Sequence, residues 1–507
     1  MKVNEFYDIE LLKSNRMKKK VSILFVAGVI MMTGCDDFLS ETPDNRASLD
    51  SKEKIAELLV TAYPEANYIP FCEALSDNVE DNFGGSENVT NADPWFWRDA
   101  SATWQDSPEF YWNGCYTAIA AANHALRAIE QSSDPSFYNA QKGEALLARA
   151  YSHFMLVSLF ANMYDPRTAP GDQGIPYVTD PETVSLKTYE RKTVEYVYTM
   201  IEKDLTEGLP LIDDQAYGGS GTNAANLARF HFTRAAGHAF ASRFYLFKKD
   251  YAKVIEHANA VLDGNDIPSL LRPWNSTYRT LTSSELTLTY TRSTEKANLL
   301  LCDTQSNWGT SFNQVRYSTG ATRRDEMFFI NNPAQGNYAY STYYSNTGVN
   351  FVFKFREHFV RIGMNATTGY SYTIIPLFSV EEVLLNRAEA YAMQVQFHEA
   401  LDEMNLFIST RVLNYDPDVH NVTFNRLYNL YHETDNKKAI VRGILELRRV
   451  EFLHEGLRWF DILRHKLPVT HISFDGQSTT LLPGDPRRIL QIPSEAISVG
   501  GLRPNPR

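Results

Sequence analysis

Val380-Glu-Glu-Val-Leu384-Leu-Asn-Arg387-Ala388-Glu-Ala390-Tyr391-Ala-Met, a short break, then Phe397-His-Glu-Ala400-Leu401-Asp-Glu-Met404-Asn-Leu-Phe-Ile408-Ser-Thr-Arg-Val412, is the stretch whose reading decides the architecture. Apolar and small side chains return every three or four residues on both sides of the break. The segment therefore reads as two amphipathic helices joined by a tight turn. Two earlier segments repeat the pattern. In Phe110 to Tyr164 the stripe runs through Tyr116, Ile119, Ala120, Asn123, Leu126 and Ile129, then Ala145, Leu146, Ala148, Ala150, Tyr151 and Phe154. In Phe230 to Leu262 it runs through Ala235, Ala236, Ala239, Ser242 and Leu246, turns at Lys249-Asp250, and resumes at Tyr251, Ala252, Ile255, Ala258 and Leu262.

Small residues four apart let helices approach closely, and an aromatic followed by Ala opens the second helix of each later pair. This is the tetratricopeptide arrangement, whose period is roughly 34 residues. The copies are degenerate and widely separated, so they read as structural pairs rather than as a peptide-binding array. Each pair has one apolar stripe that a neighbour must cover. The predicted fold is mostly α: a tetratricopeptide-like, right-handed superhelical scaffold of helix pairs, with a loop-rich face and a few short β-strands. Between the second and third pairs, Trp274 to Tyr372 loses helical period. There Glu285-Leu-Thr-Leu-Thr-Tyr290 and Phe351-Val-Phe-Lys-Phe355 alternate at period two and read as strands. A second non-periodic stretch, Asn82 to Trp104, sets Trp95, Trp97 and Trp104 among Gly, Asn and Asp. Long stretches of this kind inside a compact protein usually carry function.

The 507 residues carry 49 basic and 61 acidic side chains, a formal charge of −12. With 43% hydrophobic residues and no basic block, disorder and nucleic-acid binding are both excluded as main themes. The aromatic load, 28 Tyr, 29 Phe and 7 Trp, is high and calls for an explanation.

Met17-Lys18-Lys19-Lys20 precedes an apolar run from Val21 to Thr33 and then Gly34-Cys35. A basic start, a short apolar run and a small residue before the cut describe a secretory signal over 1–34, with Met17 as the true start. The run is too short to span a bilayer, which takes roughly 20 apolar residues. Behind an ordinary cleaved signal, Cys35 would be an incidental Cys. Cys72, Cys115 and Cys302 remain, without a CxxC or a His at metal spacing, and read as buried thiols with room for one disulfide. No metal site and no cofactor motif is legible.

Several blocks resemble the SusD/RagB-like outer-membrane lipoproteins of Bacteroidetes. Met32-Thr33-Gly34-Cys35 is similar to a lipobox, with Thr33 in place of the usual Ala or Ser. Cys35-Asp-Asp-Phe-Leu39 with Pro43 resembles the mature N-terminus of the family. Trp112-x3-Tyr116-x2-Ile119-x3-Asn123, Glu144-x4-Arg149-Ala150-Tyr151 and Arg387-Ala-Glu-Ala390-Tyr391 resemble its helices. The most specific block is Arg448-Arg-Val-Glu451-Phe-x2-Glu455-Gly456-x-Arg458-Trp459-x-Asp461-x2-Arg464. The tail Ile492-Pro493-x-Glu495 and Asn505-Pro506 agrees, with Gln491 where the family often has Pro.

The resemblance implies one SusD-like domain over 35–507, made of a helical part (35–265), an aromatic loop-rich part (266–375) and a C-terminal helical part (376–507). It implies a non-catalytic lipoprotein on the cell surface, held in the outer membrane through a lipid on Cys35. Asp36-Asp37 resembles the acidic signal that sends such lipoproteins to the exterior. The implied ligand is an oligosaccharide or polysaccharide, and the implied partner a SusC-like TonB-dependent transporter. A second function stays open: a scaffold that binds proteins or peptides through the same aromatic loops.

Sugar binding needs flat apolar faces for the C–H side of a ring and polar edges for hydroxyls. Trp95, Trp97 and Trp308 are the expected platforms, because they lie in polar, non-periodic sequence where core residues are least expected. Arg98, Asp99, Asn307, Tyr338 and Tyr340 are the expected edges. Trp112 shares a stripe with Tyr116 and Ile119 and belongs to the core. Glu451 and Glu455, four apart, share a helix face, but Arg448, Arg449 and Arg458 lie one turn away. They read as ion-pair partners locking the C-terminal helix, not as glycosidase carboxylates. His454-Glu455 lacks a second His four residues on, and Gly218-Gly-Ser-Gly221 lacks a nucleophile frame.

Overall fold

The computed structural model describes residues 49–182, 188–217, 228–364 and 366–507. The leader over 1–34, Met17, Cys35, Asp36-Asp37 and Gly218-Gly-Ser-Gly221 lie outside the described residues. The chain divides into two compact units, Met1–Lys54 and Ile55–Arg507. Only 49–54 of the first are described; the second carries every element below.

The three helix pairs form as their periodicity requires. The first is α1 (Pro108–Glu130) with α2 (Asn139–Phe160). Helix α3 (Val194–Gly208) packs on α2. The second pair is α4 (Arg234–Lys248) with α5 (Tyr251–Leu262), and the third is α6 (Val380–Met393) with α7 (Phe397–Ser409). Helix α5 lies on α6, so the second and third pairs are stacked. Starts are set by side-chain caps: Ser107, Thr193, Thr233 and Ser379 each accept a backbone N–H from three residues on. The Lys249-Asp250 turn is built as expected, with Lys249 at φ 65° and Asp250 capping α5. Gly143 and Gly208 face each other between α2 and α3. A Cβ on Gly143 would lie 2.9 Å from the Gly208 carbonyl oxygen, and this pair sets how close the two helices come.

The C-terminal block forms α8 (Asn436–Glu451) and α9 (Leu457–Arg464). Its ion-pair network is present, but the partners differ from those expected. Glu451 is gripped by Arg411 at 2.9 and 3.0 Å and accepts the Tyr340 hydroxyl at 2.5 Å. Arg411 also reaches Glu381 at 3.1 Å, and Glu381 takes Arg272 at 2.8 Å. Glu455 pairs with Lys354 at 2.7 Å and accepts from Tyr290 at 2.5 Å. Arg448 turns to Asp461 at 2.9 Å, and Arg458 grips Asp77 with two bonds of 2.8 Å. Burial works against ionisation of Glu451, yet the Arg411 guanidinium prevails and holds its carboxyl down to about 2. Neighbours in sequence were a poor guide because each arginine reaches across to another segment.

The aromatic loop-rich part holds a three-stranded antiparallel sheet of β1 (Asn298–Gln305), β2 (Glu357–Arg361) and β3 (Gly369–Ser379), with β3 in the middle. Thr304 lies opposite Thr373, and Glu357 opposite Thr373 from the other side. Strand β3 runs straight into α6, whose cap is its last residue, Ser379. Asn350–Val352 pairs with Thr342–Tyr344, so the Phe351 stretch is a strand as expected, though shorter. Glu285 to Tyr290 is not a strand. It is the helix Ser283–Tyr290, because Thr282 and Glu285 form a reciprocal capping box that outweighs the alternating leucines. Only Leu286 and Tyr290, four apart, are buried there.

Cys72, Cys115 and Cys302 are buried free thiols. Among the described residues no helix is long and apolar enough to cross a membrane, and no cluster of His, Cys, Asp and Glu has the makings of a metal site.

Candidate functional site

The ends of β1 and β3 open on a cleft of about 450 Å³. One wall is the loop before α1, with Thr103, Trp104 and Gln105; the other is Tyr370, at the start of β3. Asn88, Gln305 and Asn307 supply amides, while Asn91 spends its own on the Tyr317 backbone at 2.9 and 3.1 Å, and Trp308 lies at the base. Trp104 is 54% exposed and Tyr370 50%, so two aromatic faces meet solvent within one concavity.

The base is fixed by Asp106, a residue at φ 68°. Its carboxyl accepts the Ser306 hydroxyl at 2.5 Å and the Asn307 N–H at 3.0 Å. Ser306 in turn accepts the Trp308 N–H at 3.0 Å and an Asn67 amide hydrogen at 3.1 Å. Above this, Gln305 donates to Gln105 at 3.2 Å and ties the two walls together. A non-glycine residue in the left-handed region costs energy and persists only where its surroundings impose it. Here four hydrogen bonds converge on one buried carboxyl and hydroxyl.

Burial pushes the Asp106 carboxyl up to about 6, and Glu73, buried beneath Gly456, up to about 7. A buried acid whose value is raised takes up a proton on folding. Its contribution to stability is complete below the unfolded value and is lost as pH rises through 6 to 7. Glu451, Asp461 and Glu389 are held below the usual range by Arg411, Arg448 and Arg464 against the cost of burial, and their contributions begin to be lost as pH falls below the ordinary carboxylate range. Thermal melts at stepped pH are therefore expected to peak near about pH 5. Asp106→Asn is expected to flatten the decline on the alkaline side. A curve that keeps rising from pH 5 to 8 contradicts this assignment.

The three indoles expected as platforms are all covered: Trp95 is 1%, Trp97 4% and Trp308 4% exposed. The first two clamp an imidazole. The His471 ring stacks on Trp95 at 3.8 Å and on Trp97 at 4.3 Å, and Tyr317 covers the far face of Trp95 at 4.7 Å. Trp97 also donates to the Leu75 carbonyl at 3.2 Å. Polar flanking sequence misled here, because what buries these rings arrives from residues 317 and 471. Trp308 does reach the cleft, but only as its base, with Nε1 donating to the His454 carbonyl at 2.9 Å.

Tyr338 and Tyr340 are buried as well, edge to face at 5.7 Å, and Tyr340 belongs to the Glu451 network. Arg98 and Asp99 are exposed, but they line a different cleft of about 200 Å³ with Trp97, under the segment Ile489–Pro493. Arg98 lies over Phe96 at 4.2 Å and Asp99 pairs with Arg507 at 2.6 Å. Trp308 and Asn307 are thus the expected residues that line the larger cleft. Trp104 and Tyr370, the half-exposed rings of that cleft, were not among the expected platforms. Trp104 sits last in the non-periodic stretch already noted, just before the buried Ser107-Pro108 helix start.

Paired helices holding a rigid cleft of aromatic faces and amides define a binding protein on a tetratricopeptide-like scaffold. The chain belongs to the SusD family: the model SusD-like_3, described as starch-binding and associating with the outer membrane, matches 37–246, and the SusD family model matches 278–479. A SusD superfamily protein from Bacteroides thetaiotaomicron VPI-5482 is similar over 91% of this chain and 100% of its own, at 18% identity and TM-score 0.67. A SusD superfamily protein from Bacteroides fragilis is similar over 90% and 99%, at 17% and 0.63. A SusD-like carbohydrate binding protein from Bacteroides vulgatus ATCC 8482 is similar over 89% and 97%, at 16% and 0.62. No curated protein matches the chain.

Proposed function

We propose that this protein is a non-catalytic cell-surface lipoprotein that binds oligosaccharides in the Trp104–Tyr370 cleft and passes them to a SusC-like TonB-dependent transporter. The observation that carries the reading is the pair of half-exposed aromatic faces, set among Asn and Gln side chains, in a chain of this family. Each ring face covered by a sugar removes roughly 50 Å² of apolar surface, about 1.3 kcal/mol. With a few net hydrogen bonds of about 1 kcal/mol each, affinity falls between millimolar and micromolar. That suits a protein that must release its ligand. The paired Glu451 and Glu455 are committed to Arg411 and Lys354, which supports binding rather than hydrolysis.

Affinity electrophoresis against a polysaccharide panel tests the reading. Trp104→Ala and Tyr370→Ala are each expected to weaken the retained glycan about 10-fold, with melting temperature unchanged. Retention that is absent on every glycan, or indifferent to both substitutions, refutes it. A protein partner that co-purifies only when these two rings are intact would favour the peptide-binding scaffold. For the anchor, Cys35→Ala is expected to move the protein from the outer-membrane fraction to the soluble one and to abolish palmitate labelling.

A further inference from the structure

Asp106 does more than fix the base of the Trp104–Tyr370 cleft. It is the one charged side chain among the described residues that line it, and it is 7% exposed. The other polar groups of the lining are amides and hydroxyls, among them Asn88, Asn307, Thr103 and Tyr370. Among the described residues no Lys, Arg or His joins them.

The charged groups around the cleft leave that carboxyl without a counter-charge. Glu357 of β2, which accepts the Thr310 hydroxyl at 2.7 Å, adds its negative field to that of Asp106. Glu65, on the segment that brings in Asn67, accepts the Tyr372 hydroxyl at 2.6 Å. The neighbouring cations are spent elsewhere: Arg316 grips Asp81 at 2.7 and 2.9 Å, and the His358 ring meets Asp303 at 3.1 Å.

The hydrogen bonds at Asp106 suit its ionised form. Ser306 accepts from the Trp308 N–H and from the Asn67 amide, so its own hydroxyl hydrogen goes to Asp106. The Asn307 N–H can only donate. Two donors thus point at the carboxyl, and neither partner can take a proton from it. Burial works the other way and pushes the group up to about 6, so it is ionised at neutral pH and takes up a proton below that value.

A negative charge fixed out of water acts on whatever the cleft encloses. At an effective dielectric of about 20, a sugar carboxylate held about 10 Å away loses roughly 10-fold in affinity. The lining offers it no cation in exchange for its lost hydration. Hydroxyls suffer neither loss, because amides replace their water.

Taking the Trp104–Tyr370 cleft as the glycan site, we propose that Asp106 is its specificity-determining residue, a buried carboxylate that reserves the cleft for uncharged sugars and turns away acidic ones.

Oligomers of glucose, galactose and mannose, each beside the uronate oligomer that carries a carboxylate at C6, are the probes, read by calorimetry on the full chain. The readout is the affinity ratio within a pair, so a uniform loss from a disturbed base cancels. At pH 7.5 at least one neutral oligomer is expected to bind about 10-fold or more tightly than its uronate. In Asp106→Asn the ratio should shrink to within about 3-fold, and Asn is the replacement best suited to a left-handed φ. Lowering the pH to 5 keeps the uronates ionised, since an ordinary carboxyl titrates near about 4. The wild-type ratio should therefore shrink as Asp106 takes up its proton, whereas that of Asp106→Asn should hold, and this arm stands even if the variant folds poorly. A uronate that binds as tightly as its neutral partner, or a ratio indifferent to both Asp106→Asn and pH, overturns the assignment and leaves the cleft's glycan role standing. Binding of none of the six oligomers overturns the assignment together with the reading beneath it.

Discussion

Arg411→Met is expected to destabilise the protein by about 3–5 kcal/mol, enough to remove most of the stability of an ordinary domain. The guanidinium is wholly buried between Glu381 and Glu451 and makes bonds of 2.9 to 3.1 Å to both. Its loss leaves Glu451 with the Tyr340 hydroxyl and Glu381 with Arg272 alone. Two carboxylates would then face each other in a dry interior. Urea denaturation at pH 7 measures the loss. Protonation relieves the carboxylate left without its guanidinium, so the variant should recover part of its stability as pH is lowered toward 5, whereas wild type keeps its Glu451 contribution there. Removing the charges together, as Arg411→Met with Glu451→Leu, should cost less than Arg411→Met alone. A single variant that melts with wild type would show that the network is dispensable.

The second large effect is Trp95→Ala, expected to cost about 3–5 kcal/mol through the cavity it leaves between His471 and Tyr317. Affinity for glycan per folded molecule should stay unchanged. The opposite outcome, intact stability with lost binding, would restore Trp95 to the role that its sequence surroundings suggest.

The scaffold was legible because helix pairing is a local property. Arg387, Ala388 and Tyr391 announce their own helix, and Lys249-Asp250 its own turn, without reference to anything distant. The cleft was legible only as two stretches of chain. Whether an indole in such a stretch faces solvent depends on what arrives from elsewhere, and His471 lies 376 residues from Trp95 in sequence. No local pattern encodes that meeting. The same limit applies to Glu451, whose true partner is Arg411 and not the adjacent arginines. Glu285 to Tyr290 failed differently: the signal, Thr282-Ser-Ser-Glu285, was present and was outvoted by an alternation of leucines.

Trp104 and Tyr370 stand at the rim, half in water, while Asp106, Ser306 and the strand entering α6 form the bed beneath them. Exchanging a rim residue therefore disturbs little of what keeps the chain folded. Under the role proposed for this cleft, such a division of labour makes the molecule easy to redirect by evolution or by design: two or three surface substitutions would change what it captures, and the frame need never be re-evolved.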